Sequence, residues 1–153
     1  MNVFAAAVVL STLAAAGCGG GAKHAAGTTA PTASTPSANS ALPACAHHGA
    51  AVARPAGLPR SLPLPKGTVL TGHRRTSSGF LVVEGLEPLS LGDAARFLLH
   101  EIPKAGYRVA RGESEGDEAE TDFFGRGVSG HIKLRALEHC EGATRLLISI
   151  APH

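Results

Sequence analysis

The chain predicts an α+β fold, a two-layer sandwich in which an antiparallel sheet of about six short strands carries one helix on one face. Three observations lead there. Only one segment repeats its apolar residues at helical spacing: Leu91, Ala94, Ala95, Leu98, Ile102 and Ala105. Several short runs alternate apolar and polar residues, most cleanly at residues 130–136. Glycine-bearing turns separate those runs. The chain order that follows is β-β-α-β-β-β-β.

The first strand is expected at residues 68–74, after the turn Pro63-Leu64-Pro65-Lys66-Gly67. Ser77-Ser78-Gly79 reads as a hairpin turn into a second strand at residues 80–86. Ser90 is a natural helix N-cap, and Asp93 suits the positive end of the helix dipole. Pro103 falls in the last turn, and Gly106 supplies the left-handed stop. A third strand is expected at residues 107–111, an acidic turn at residues 113–118, and a fourth strand at residues 119–124. In the fifth, Ile132, Leu134 and Ala136 face the core while His131, Lys133 and Arg135 face water. Glu141-Gly142 turns the chain into the last strand at residues 145–150, with Leu146, Ile148 and Ile150 inward. Consecutive strands are expected to pair in sequence, with the helix shielding one face.

The N-terminus sets the compartment. Residues 3–16 are almost all Ala, Val, Leu and Phe, and they end in Ala16-Gly17-Cys18. The run has the length of a signal-peptide core and is shorter than the roughly 20 apolar residues that span a membrane. The pattern resembles a bacterial lipobox. It implies a signal peptide over residues 1–17 and lipidation of Cys18 by diacylglyceryl and palmitate-like chains. An ordinary secretory signal, cleaved after Ala14-Ala15-Ala16, is the alternative. Residues 18–57 form a Gly/Ala/Ser/Thr/Pro-rich linker that lacks the large apolar residues needed to offset ordering entropy. Residues 58–153 form the α+β domain. With no Trp and one Tyr, its core must rely on Leu, Val and Ile.

Three cysteines are present. With Cys18 acylated, Cys45 and Cys140 remain, and in an exported protein they are expected to form a disulfide. His47, His48 and His139 flank those cysteines and are the candidate Cu or Zn ligands of an alternative reading. Glu113, Glu115, Asp117, Glu118, Glu120 and Asp122 form an acidic cluster without the calcium-loop pattern. Glu120 and Asp122 share a strand face and are expected to pair with Arg108 or Arg111 of the neighbouring strand.

From residue 62 onward the chain resembles a group of small envelope lipoproteins of high-GC actinobacteria. The matching features are LPLPKGTVLT at residues 62–71, IPKAGY at 102–107, AETDFFG at 119–125, and Cys140 before the final strand. The resemblance implies an envelope location and this strand order. It implies no activity and no functional residues.

The formal net charge of +2 gives no case for nucleic acid. There is no G-x-S-x-G elbow, phosphate loop or dinucleotide fingerprint, and no catalytic residue or cofactor is expected. The function expected is a non-catalytic binding or accessory module of the cell envelope, held on the membrane through its lipid. His131, Lys133 and Arg135 are its candidate binding face, toward an envelope protein or an anionic wall or lipid polymer. A small-ligand or metal carrier using the His/Cys region is the alternative.

Overall fold

The computed structural model describes residues 41–152. The leader, Cys18 and most of the linker lie outside the described residues. Six strands and one helix follow in chain order: β1 (Val69–Arg75), β2 (Leu81–Glu87), α1 (Leu91–Lys104), β3 (Arg108–Glu115), β4 (Glu118–Gly125), β5 (Val128–Ala136) and β6 (Thr144–Pro152). They build one open antiparallel sheet in the order β1-β2-β6-β5-β4-β3, with α1 against one face.

Sequential pairing therefore fails at one point. The helix carries the chain from β2 to the far edge, and β3, β4 and β5 fold back as a meander. The last strand then closes the gap between β5 and β2. Its burial explains the placement. Leu146, Ile148 and Ile150 face the helix layer at 3% exposure or less. A strand that apolar on one face is best used in the centre of the sheet, with a neighbour on both sides.

The helix begins as its sequence requires. The Asp93 amide donates to Ser90 Oγ (3.3 Å), and Ser90 Oγ donates back to Asp93 Oδ2 (2.6 Å). Gly106, at φ 86°, ends it, with its N–H donating to the Pro103 carbonyl (3.0 Å). Ala94, Leu98 and Ile102 are fully buried on the inner stripe, while Leu99 points outward.

Under the helix, the core gathers Leu81 and Val83 of β2, Ala119 and Phe123 of β4, Ile132 and Leu134 of β5, and the inner residues of β6. The Phe123 ring lies across Gly130, where an added Cβ would fall 2.4 Å from Phe123 Cζ. Glycine is thus the residue that lets that ring reach the core. Phe123 also meets Tyr107 edge-on, with centroids 5.5 Å apart, and the Tyr107 hydroxyl is hydrogen-bonded to Ser61 Oγ (2.7 Å). This chain of contacts ties the lead-in, the described segment before β1 (residues 41–68), to the sheet. Leu58 and Leu62 are buried in the same core, Arg54 donates to the Leu62 carbonyl (3.0 Å), and the Val52 amide donates to the Leu70 carbonyl (2.8 Å) beside β1.

The acidic stretch is a strand and not a long turn. Glu113 and Glu115 belong to β3, and only Gly116-Asp117 make the turn. The β3 strand is an exposed sheet edge, which suits charged residues.

Candidate functional site

The face away from the helix is built by the other half of each alternation. Register sets its rows. Asp122 lies opposite His131, and His131 opposite Ser149. Glu120 lies opposite Lys133, and Lys133 opposite Leu147. Glu118 lies opposite Arg135, and Arg135 opposite Arg145. The three residues expected on the binding face, His131, Lys133 and Arg135, do share this surface.

Each of them already has an acidic partner on β4 or its turn. His131 Nδ1 donates to Asp122 Oδ1 (2.7 Å), and its Nε2 lies 3.9 Å from Glu120. Lys133 Nζ contacts Glu118 (2.5 Å) and Glu120 (3.2 Å). Arg135 contacts Asp117 (3.2 Å) and Glu118 (3.1 Å). The hydrogen bond to Glu118, then that to Glu120, raises the Lys133 pKa. The bond to Asp117, with the charge of Glu118, raises that of Arg135. The row is thus a ladder of ion pairs and not a bare basic stripe.

The partners expected for Glu120 and Asp122 need correction. Arg111 bonds Glu113 of its own strand (2.6 Å), and Arg108 stacks on the Phe124 ring (5.9 Å to the centroid). Glu120 and Asp122 turn toward β5. For Glu120 the reason is register: β3 sets Glu113 opposite it and β5 sets Lys133. Arg111 does lie opposite Asp122, but its guanidinium bonds Glu113, and Asp122 accepts from His131 instead.

Cys45 and Cys140 are bonded, with Cα atoms 5.5 Å apart and a separation of 95 in sequence. The bond lies in a small cluster of its own. Ala46, Leu86, Cys140 and Ala143 are buried there, packed by Leu42 and Leu137. Leu86 belongs to the open face, so the disulfide straps the lead-in across one end of it. Beyond the strap, residues 47–49 overhang the sheet and enclose a depression of about 500 Å³. Its floor includes Leu86 and Leu147, and Lys133, Arg135 and Arg145 line it with His47 and His48. Of these, the Arg145 side chain, which is exposed, makes no hydrogen bond or ion pair among the described residues. His139, at φ 57°, sits in the turn before Cys140. It does not join His47 and His48, and no group of three metal-binding side chains occurs among the described residues.

One buried acid escaped the sequence reading. Glu87 ends β2 on the core side with no exposure, and neither carboxyl oxygen has a hydrogen-bond partner in the described structure. Thr144 lies directly opposite, but its hydroxyl donates to the Leu89 carbonyl (2.8 Å). Burial alone pushes the Glu87 pKa up to about 8. The signal was available: the alternation Leu81, Val83, Gly85 continues inward to position 87.

Asp122, His131 and Ser149 also form a row of residue types that elsewhere serve nucleophilic catalysis. Here both imidazole nitrogens face carboxylates, and Ser149 makes no side-chain hydrogen bond among the described residues. The row holds strands together.

Compared with known proteins, the chain matches no family model, no curated protein and no solved structure. The class that its fold defines is an open six-stranded antiparallel sheet with one helix.

Proposed function

We propose that the protein is a membrane-anchored extracytoplasmic lipoprotein. In this reading it acts as a non-catalytic binding or accessory module of the cell envelope, and Cys18 carries the lipid. The working surface is the open sheet face, which meets an envelope protein or an anionic wall or lipid polymer. The observation that carries the reading is the asymmetry of the sheet. One face is sealed by the helix and the core; the other presents ordered charges and a strapped depression. The small net charge does not favour nucleic acid.

A second reading, a small-ligand carrier, is favoured by the depression itself. Its volume of about 500 Å³ lies in the range that holds small molecules, and its lining mixes leucines with cations.

Binding of the lipid-free chain to anionic vesicles and to wall fragments at low salt tests the first reading. Charge attraction between exposed groups is screened beyond about 8–10 Å at physiological ionic strength, so binding should weaken with added salt. Lys133→Gln with Arg135→Gln leaves Asp117, Glu118 and Glu120 uncompensated and is expected to abolish binding with folding intact. Glu118→Gln with Glu120→Gln releases Lys133 and is expected to strengthen it. Equal binding by all three forms removes this face. Loss of all binding leaves the protein partner, to be sought by cross-linking in cells.

A further inference from the structure

The strapped depression has one cation without a partner among the described residues, Arg145, and its place is unusual. Arg145 of β6 stands directly opposite Arg135 of β5. Like charges at opposed positions destabilise a sheet unless something neutralises them. Another like-charged opposed pair, Glu113 with Glu120, has a cation on each side: Arg111 takes Glu113 and Lys133 takes Glu120. Glu118, opposite Glu115, is taken by Lys133 and Arg135. At the arginine pair the acids serve only one side. Asp117 and Glu118 hold Arg135, and nothing among the described residues holds Arg145. The one acid lining the depression, Glu84, is paired with Arg74 (2.8 Å).

Resting on the carrier reading above, we propose that the depression binds a small ligand with an oxyanion head, phosphate or carboxylate, on an apolar body. Arg145 takes the head. Its planar fork matches two oxygens of such a group, and the bound anion relieves the repulsion from Arg135. Leu86 and Leu147 receive the apolar body on the floor. The Cys45–Cys140 strap fixes the wall that carries His47 and His48, so the site is formed before the ligand arrives.

The test uses the full chain held in phosphatidylcholine nanodiscs, with empty discs as blank, and equilibrium dialysis of radiolabelled phenyl phosphate. Saturable uptake at one site per chain is expected. Arg145→Gln should weaken it roughly tenfold or more, and Arg145→Lys, which keeps the charge but loses the fork, by less. Arg96→Gln, on the helix side of the molecule, should leave it unchanged. Inorganic phosphate should compete weakly, and phenyl glucoside, with a neutral head, more weakly than phenyl phosphate. Discs of phosphatidylglycerol separate the two sources of the head. Reduced uptake there identifies a lipid headgroup as the natural occupant, and unchanged uptake a free small molecule. Unsaturable uptake, equal affinity in Arg145→Gln with an unchanged melting curve, or equal competition by phenyl glucoside overturns the proposal. Loss of phenyl phosphate uptake with vesicle binding retained refutes this site alone. The reverse result keeps this site and removes the anionic wall or lipid polymer as the partner of the open face.

Discussion

Replacing both Cys45 and Cys140 by Ala is expected to lower the stability of the folded chain by about 2–5 kcal/mol. The bond joins residues 95 apart, so its loss frees a long loop in the unfolded chain and raises that chain's entropy. The double variant is the right comparison, because a single one leaves a reactive thiol. The main core contains neither cysteine, so the sheet and helix should survive. What loosens is the small cluster of Ala46, Leu86 and Ala143, and with it the overhang of residues 47–49. Urea titration should show a lower midpoint, and hydrogen exchange should show faster exchange at the Ala46 and His47 amides, which donate to the Pro43 and Cys45 carbonyls. An unchanged midpoint would show that the strap contributes nothing to folding.

Raising the pH from about 5 to about 8.5 is expected to destabilise the protein through Glu87. Its folded-state pKa is pushed up to about 8 by burial, whereas in the unfolded chain it titrates near the ordinary carboxylate value. Between those values the native state holds a proton that the unfolded state has released. The stability this contributes is complete below the unfolded pKa and is lost as pH rises through the folded pKa, at about 1.4 kcal/mol per pH unit. The whole window is worth on the order of 5 kcal/mol at most. Glu87→Gln, neutral at every pH, should flatten that part of the profile. Glu87→Leu should flatten it and also remove the two unpartnered oxygens, raising stability above wild type at pH 8.5. Melting curves across the window decide it. Parallel profiles in wild type and Glu87→Gln would show that Glu87 does not keep its proton in the fold.

The elements were legible wherever periodicity was strong. The stripe from Leu91 to Ile102, the cap at Ser90, the stop at Gly106 and the alternation through Ile132 and Leu134 each state a local rule, and the structure follows it. The insertion of β6 between β2 and β5 was not legible. It depends on pairing between residues far apart, such as Val83 with Ile148, and no local pattern encodes a partner. Glu113 and Glu115 read as a turn because acids are poor strand formers; at an exposed edge, with Arg111 beside them, they are tolerated. The surface told a similar story. Alternation placed His131, Lys133 and Arg135 outward correctly, but it did not say that Glu118, Glu120 and Asp122 would pair with them and not with Arg108 or Arg111. The depression was hidden, because its wall comes from the lead-in and its floor from β2 and β6.

Intact mass spectrometry of the protein extracted from membranes of its own host tests the envelope reading most directly. A lipid-anchored module must be a chain beginning at Cys18, heavier by a diacylglyceryl group in thioether linkage, with no alkylatable thiol until the Cys45–Cys140 bond is reduced. A Cys18 free to alkylate, or a chain beginning beyond it, would contradict the anchor and with it the place of this protein on the membrane surface.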